Sequence, residues 1–91
     1  MFDWDPRKAQ SNRRKHEEAA TAFLDPNGLD GEDLEHSEFE ARRLRLAKSR
    51  SNRVLLIAYT VRRTNHEEIT RIISARRASR KERKRYEVKK D

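Results

Sequence analysis

Arginine side chains are concentrated where a predicted strand gives way to a predicted helix. Residues 71–91 carry ten Lys or Arg and three Asp or Glu, a net charge of +7, whereas residues 1–70 carry thirteen of each kind. Arg76 and Arg77 end the strand, and Arg80 begins the helix. The N–H groups at a helix start attract anions, and arginine binds phosphate through paired hydrogen bonds. The pattern favours a phosphate-rich partner, although a basic run can also be a solvated helix face.

Because successive side chains of a strand point to opposite faces of the sheet, Arg76 and Arg77 lie on opposite faces. Only one of them would face a groove formed on the sheet. In a groove, that arginine could stabilise a scissile phosphate as negative charge builds on it. The competing interpretation pairs Arg77 with the acidic span of residues 25–40, which holds seven Asp or Glu and no Lys or Arg. Arg80 and Arg83 of the following helix are further candidates for substrate binding.

Tyr59 and Arg62 belong to the preceding apolar segment and could face the same groove. Tyr59 would then stack on a base and Arg62 would contact a phosphate. The alternative makes Tyr59 a core residue with its hydroxyl at the edge of the core, and leaves Arg62 solvated at a strand end.

RNA supplies its own nucleophile, the 2′-hydroxyl, so its cleavage needs a proton acceptor, cations for the phosphate and a proton donor. Arginine is a poor proton acceptor. The base could be His16, Glu82 or Tyr86, and the pattern does not choose among them. His16 is the candidate that changes charge near neutral pH, although a histidine at a helix end more often interacts with the carbonyl groups there. The three histidines and the acidic span match no metal-ligand spacing, so we expect no metal and no cofactor.

The elements that position these residues begin with a short strand at residues 2–4. Asp5 and Pro6 are typical of a helix start, and this basic helix should run to about His16. The segment "EEAATAFL" predicts a second short helix, which "DPNG" ends in a turn. The acidic stretch up to Glu38 is predicted to be a loop or a short edge strand.

Three strands should follow. Leu44 and Leu46 alternate with basic residues, "SRSN" makes a turn, and "RVLLIAYTV" is apolar enough for a central strand covered on both sides. A loop, "RRTNHEE", leads into "ITRIISAR".

Alternation in this last strand places Ile73 with Ala75 on one face and Ile72 with Arg76 on the other. Ser79 and Glu82 have the spacing of a capping box, which starts the last helix near Arg80. We therefore predict an α+β fold: an N-terminal strand, two helices, an antiparallel β-meander and a C-terminal helix.

The composition limits the class of protein. The chain has 91 residues, of which 33% are apolar and 43% charged, so one small domain spanning residues 1–91 with a thin core is expected. It has no cysteine, which excludes disulfides and thiolate metal sites. No apolar run approaches the roughly 20 residues that span a bilayer, and the N-terminus lacks an apolar signal core. We expect a soluble, cytoplasmic protein.

Four segments together resemble the BrnT family of bacterial toxins. They are "FDWDPRKAQSNRRKH" at residues 2–16, "DLEHSEFEARRLRL" at 33–46, "AYTVR" at 58–62 and "RIISARRASRKERKRYE" at 71–87. The chain departs from the family where a Gly-x-x-Phe step usually follows the histidine, because "KHEEAATAF" runs on directly and the two helices could be fused. The hairpin "VRRTNHEEIT" is also longer than usual.

The resemblance implies a RelE-like fold and a small ribonuclease that inhibits translation by cutting RNA. It also implies neutralisation by a BrnA-type antitoxin, a ribbon-helix-helix protein whose dimer binds operator DNA, so that the complex represses its own operon. The positions similar to the family's functional set are Arg62, Arg76 and Arg77, supported by Lys15, His16, Glu82 and Tyr86.

Two other classes of function fit the same residues. A non-catalytic nucleic-acid-binding module would use the arginines only to grip the backbone. An adaptor would work by pairing its thinly cored face with another protein.

Overall fold

Five strands and two helices make up the structure, a computed structural model that describes residues 2–4, 13–36 and 41–90. In chain order they are β1 (Phe2–Trp4), α1 (Arg13–Ala22), β2 (Leu29–Glu32), a 3₁₀ turn (Leu34–His36), β3 (Arg43–Lys48), β4 (Val54–Thr64), β5 (Glu67–Arg77) and α2 (Arg80–Lys90). The sheet has the strand order β1-β5-β4-β3-β2. β1 is parallel to β5, and the other neighbours are antiparallel. The predicted α+β class with an antiparallel meander is confirmed.

The main core lies between α1 and one face of the sheet. Ala19 and Ala22 of α1 are fully buried, and their small side chains let the helix approach the strands closely. The sheet contributes Ala47, Leu55, Ile57, Tyr59 and Ile72 to this cluster. We call this side of the sheet the α1 face.

The opposite face carries a second, smaller set of buried residues. Register pairs Leu46 of β3 with Leu56 of β4, and Leu46 is 6% exposed. Helix α2 packs against β3 and contributes Tyr86, which is 2% exposed, whereas Val88 is largely exposed. Both faces of β4 are therefore used, as its apolar run predicts, but α2 depends on a single aromatic anchor.

A β-bulge in β5 decides which residues share a face. Ala58 pairs with Ser74 but Tyr59 pairs with Ile72, so Ile73 is an extra residue without an opposite partner. The predicted alternation, which put Ile72 on the face of Arg76, is therefore wrong. Ile72 is fully buried on the α1 face instead, because the bulge resets the alternation.

The N-terminal helices also differ from the expectation. Helix α1 is continuous from Arg13 to Ala22, so His16 lies in its first turn and not at the end of a helix. The segment that begins at "EEAA" is part of the same helix, in agreement with a fusion across the missing Gly-x-x-Phe step. The predicted helix start at Asp5 and Pro6 lies outside the described residues.

The edge strand and the β4–β5 hairpin can also be compared with the expectations. The acidic span contains the edge strand β2, as predicted. The expected loop "RRTNHEE" is wrong, since β4 continues to Thr64 and β5 resumes at Glu67 across a tight turn at residues 65–66. Among the described residues, no helix has the length and apolar character needed to span a membrane.

Candidate functional site

Helix α2 begins with the predicted capping box of Ser79 and Glu82. The Glu82 N–H donates to Ser79 Oγ at 3.2 Å, and the Ser79 N–H donates to Glu82 Oε1 at 2.8 Å. These bonds satisfy two backbone donors that a helix start would otherwise leave unpaired. They also fix the Glu82 carboxylate at the junction of β5 and α2.

The same carboxylate holds Arg76, the penultimate residue of β5. Arg76 Nη1 and Nη2 donate to Glu82 Oε1 and Oε2 at 2.9 and 3.0 Å, and Nη1 also donates to the Arg77 carbonyl at 3.2 Å. The hydrogen bonds from Arg76 are the main cause that lowers the pKa of Glu82 to about 2, and Glu82 in turn raises the pKa of Arg76. Three of the five guanidinium N–H groups are used, so two remain for a ligand. The Arg76 side chain is 57% exposed.

Arg77 lies on the other side of the sheet, because register pairs it with Leu55 of the α1 face and pairs Arg76 with Leu56. It borders an open cleft of about 460 Å³ at the end of the sheet. We call this the cationic cleft; its polar lining consists of Lys48, Asn52, Arg53, Arg77, Arg83 and Glu87. Four cations and one carboxylate give the lining a net charge of +3.

Most of the charge in the cationic cleft is uncompensated. Within the part of the chain that the structure describes, Lys48, Arg77 and Arg83 form no side-chain ion pair. Arg53 differs, because its Nε lies 3.2 Å from Glu18 Oε2. Within residues 25–36 of the acidic span, no carboxylate pairs with Arg77, and Glu38 and Glu40 lie outside the described residues.

The turn between β3 and β4 forms one wall of the cationic cleft, and α1 holds it in place. Ser49 Oγ donates to Glu18 Oε2 at 2.7 Å, and the Arg50 N–H donates to Thr21 Oγ1 at 2.9 Å. Asn52 has φ of 66°, a left-handed conformation that asparagine tolerates better than most residues. The wall is thus fixed by side-chain contacts to a packed helix.

Tyr86, a candidate base and substrate contact, is buried. Its hydroxyl donates to Asp25 Oδ2 at 2.7 Å, and the Lys48 N–H donates to the same oxygen at 2.8 Å. Burial, followed by this hydrogen bond, raises the pKa of Tyr86 to about 12. Burial alone would raise the pKa of Asp25, but the hydrogen bonds from Lys48, Tyr86 and Asn27 together lower it. Tyr86 therefore fastens α2 to the α1–β2 loop.

Tyr59 is a core residue, as the alternative to base stacking predicted. It is 6% exposed, its ring meets Phe23 edge-on with centroids 5.0 Å apart, and its hydroxyl donates to Asp30. Burial is the main cause that raises the pKa of Tyr59, with the Asp30 bond second. Arg43 Nε donates to the hydroxyl oxygen at 3.3 Å. The ring is therefore not available to stack on a base.

Arg45 is the most buried cation of the described chain. Its Nε donates to the carbonyl of Ala22 at 3.1 Å and Nη2 to the carbonyl of Asp25 at 2.7 Å, while Nη1 pairs with Asp30. Arg45 also stacks on the ring of Phe23 at 5.4 Å. It caps the C-terminal end of α1 and links that helix to β2.

Of the remaining candidates, Arg80 lies at the junction, whereas Arg62, Lys15 and His16 do not. Arg62 is on the same face as Arg76, but it is six positions along β4 from Leu56, the partner of Arg76, which is about 20 Å at 3.3 Å per residue. Lys15 is exposed and His16 half-buried in α1, and Arg80 is exposed at the start of α2. Arg76 with Glu82, and Arg77 with Arg83, are the pairs that the fold brings together.

Sequence reasoning missed two residues of the cationic cleft, Lys48 and Arg53. Lys48 was interpreted as a solvent-facing residue of the alternating strand and Arg53 as the first residue of the strand after the "SRSN" turn, so neither was a candidate for the site. The contact that matters is tertiary: the Ala78 N–H donates to the Val54 carbonyl at 2.9 Å, which brings the turn beside the end of β5. Among the described residues no group of three or more His, Asp or Glu side chains could hold a metal ion.

Comparison with known families gives a match. A family model described as "Ribonuclease toxin, BrnT, of type II toxin-antitoxin system" matches residues 4–82. Comparison with curated proteins gives no significant match. The matched span includes Arg76, Arg77 and Glu82 and ends before Arg83 and Tyr86. Because the match covers most of the chain, the protein belongs to the BrnT family of ribonuclease toxins of type II toxin-antitoxin systems.

Proposed function

We infer that the protein is an endoribonuclease that cleaves RNA without a metal ion and thereby inhibits translation. Family membership supplies the class of activity. The proposal for this chain depends on the hydrogen bonding of Arg76. Glu82 holds its guanidinium, and two N–H donors remain available for a substrate phosphate. An α+β sheet flanked by helices is compatible with the RelE-like fold that the proposal includes.

The proposed reaction uses the 2′-hydroxyl of the substrate. The 2′ oxygen attacks phosphorus while its proton passes to a base, and the bond between phosphorus and the 5′ oxygen breaks as that oxygen takes up a proton. The products carry a 2′,3′-cyclic phosphate and a 5′-hydroxyl. Arg76 donates to the non-bridging oxygens as their negative charge increases, a role worth about 2.7 to 4 kcal/mol for a well-placed donor.

Glu82 is the base in this proposal. It is the candidate that directly contacts the phosphate-binding arginine, whereas Tyr86 is buried and His16 lies in α1, across the sheet from Arg76. A pKa of about 2 makes Glu82 a weak proton acceptor in the free protein. A bound phosphate would compete for Arg76 and place negative charge beside Glu82, and both effects raise the pKa of a carboxylate. Glu82 therefore becomes more basic when substrate binds.

The proposed partner is a BrnA-type antitoxin of the ribbon-helix-helix class. It would neutralise the toxin by covering the basic junction with acidic or apolar segments, and its dimer would bind operator DNA so that the complex represses its own operon. The net charge of +7 supports an acidic contact. Co-expression with a neighbouring short reading frame, followed by co-purification, tests this pairing.

A non-catalytic RNA-binding protein is the second candidate. One observation favours it: a low pKa for Glu82 is also what a purely structural ion pair with Arg76 would produce. Such a protein would retain the cationic cleft and lose only the chemistry.

One assay separates the two candidates. Purified protein is incubated with total RNA in the presence of a chelator, and discrete fragments ending in a 2′,3′-cyclic phosphate support the ribonuclease. Intact RNA at protein excess, with a retained gel shift, supports the binding protein instead.

A further inference from the structure

The cationic cleft lies at the end of the sheet, and Arg76 is not among its lining residues. It has no part in the chemistry proposed above. Its lining residues come from the end of β3, the β3–β4 turn with the start of β4, the end of β5 with Ala78, and helix α2. A volume of about 460 Å³ is within the range of clefts that hold small ligands. An RNA strand that contacts Arg76 can reach it, because Arg76 and Arg77 are consecutive residues whose Cα atoms are about 3.8 Å apart.

The charges of the two sites differ. At the junction, Glu82 neutralises Arg76 in the free protein. In the cationic cleft, Lys48, Arg77 and Arg83 have no carboxylate partner among the described residues, and Glu87 is the single acidic side chain of the lining. Several uncompensated cations around one concavity concentrate positive potential there and favour a bound anion.

The lining also indicates which part of a nucleotide is bound. None of the described residues that line the cleft is aromatic, so no ring is available to stack on a base. Arginine and lysine side chains instead match phosphate oxygens. The cleft is therefore suited to the sugar-phosphate backbone and not to base recognition.

We propose that the cationic cleft is a second phosphate subsite, in which Lys48, Arg77 and Arg83 hold the RNA backbone next to the cleavage point, whatever the base. This rests on the proposed function in that the bound strand is the one whose scissile phosphate meets Arg76. It adds Lys48, which neither the motifs nor the junction identified.

Lys48→Gln and Arg83→Gln test the subsite, and Lys84→Gln is the matched control because Lys84 is exposed on α2 outside the cleft. The ligand is a single-stranded oligonucleotide with deoxyribose at every position, which cannot be cleaved through a 2′-hydroxyl. Fluorescence anisotropy should show affinity about fivefold to tenfold lower for each cleft variant, with the log-log salt slope reduced by about 0.7. The loss should be the same for oligo-U, oligo-A and oligo-C sequences.

Cleavage kinetics give a second readout. A backbone contact in the cleft is equally strong in the bound substrate and in the transition state. Its loss in Lys48→Gln or Arg83→Gln should therefore raise KM and leave kcat unchanged, whereas Arg76→Ala should lower kcat. If RNA is never cleaved but the oligonucleotide results hold, the ribonuclease proposal fails and the subsite stands.

If cleavage proceeds while both cleft variants bind like Lys84→Gln, the subsite is overturned. It is equally overturned if the cleft variants lose affinity only for the antitoxin and keep their affinity for the oligonucleotide. Arg83, on the exposed surface of α2, keeps the test decisive should Lys48→Gln disturb β3.

Discussion

Arg76 and Glu82 face each other across the β5–α2 junction, with two nitrogen–oxygen distances of 2.9 and 3.0 Å between guanidinium and carboxylate. Glu82 has a second set of contacts in the capping box with Ser79. One carboxylate thus starts a helix and orients an arginine. Substitutions at this position must separate the two roles.

Glu82→Gln is expected to lower kcat by a factor of about 10² to 10⁴, since glutamine can accept the Ser79 N–H bond but cannot take a proton. Circular dichroism should show an intact α2. In the wild-type protein kcat/KM should stay level from pH 8 to pH 5.5. A rate that falls about tenfold per pH unit below about pH 6 would point to a histidine acceptor and contradict the assignment of Glu82.

Arg76→Ala should reduce cleavage by about 10² to 10³, the range for losing one donor to a charge that develops in the transition state. Arg76→Lys should not restore the rate, because an ammonium lacks the planar fork. Arg85→Ala, on the exposed surface of α2, removes an equal charge and should cleave normally. Equal rates for Arg76→Ala and Arg85→Ala would remove Arg76 from the mechanism.

Acid unfolding should reveal the pair of Arg76 and Glu82. The folded pKa of Glu82 is about 2, below its ordinary value of 4.5, so its stabilisation is present above pH 4.5 and is lost as the pH falls towards 2. Since Arg76 is 57% exposed, we expect only about 1 kcal/mol. Urea unfolding of wild type and Glu82→Gln should therefore converge between pH 4.5 and 2. A constant difference across that window would show that the ion pair contributes nothing.

Tyr86→Phe should destabilise the fold by about 1 to 2 kcal/mol, because Asp25 loses a donor in a buried setting. Cleavage by the folded variant should remain within about threefold of wild type. The folded pKa of about 12 lies above the ordinary value of 10, so this stabilisation is complete below pH 10 and is lost as the pH rises towards 12. The difference between the absorbance titrations of wild type and Tyr86→Phe should show the Tyr86 phenolate forming near pH 12 and not near pH 10. Unchanged stability with a large fall in kcat would make Tyr86 a catalytic residue after all.

The two glycines offer a matched pair of substitutions. A Cβ at Gly28 would collide with the Arg45 guanidinium, which is fixed by its hydrogen bonds to two carbonyls and to Asp30, whereas a Cβ at Gly31 would meet nothing within 4 Å. Gly28→Ala should cost about 1 to 3 kcal/mol and Gly31→Ala nearly nothing. Thermal melts of both variants check this, and equal melting temperatures would show that Arg45 moves aside freely.

Local signals predicted the parts of this molecule that local chemistry controls. The Ser79 and Glu82 spacing located the start of α2, and the opposite directions of Arg76 and Arg77 follow from strand geometry alone. Tyr59 and Tyr86 show the limit of that reasoning. Both were possible substrate contacts by type, and burial, which depends on the whole fold, makes them internal donors to Asp30 and Asp25.

The parts that could not be predicted depend on contacts between distant segments. Lys48 and Arg77 are far apart in the chain and meet only because the β3–β4 turn sits against the end of β5. The bulge at Ile73 was not predicted, although Ile72 and Ile73 are consecutive apolar residues that interrupt the alternation of β5. Local patterns gave no means of finding the contact between Lys48 and Arg77.

The bulge has a consequence for the two arginines themselves. If β5 ran without the bulge, with Ile72 still opposite Tyr59 and Ile73 opposite Ala58, Arg76 would lie opposite Leu55 on the α1 face, and Arg77 would move to the face that Arg76 now occupies. The face of the sheet on which each arginine lies is therefore set by a single unpaired residue upstream. Within this family, a relative whose strand has the same length but no bulge would exchange the faces of the two arginines without changing either residue.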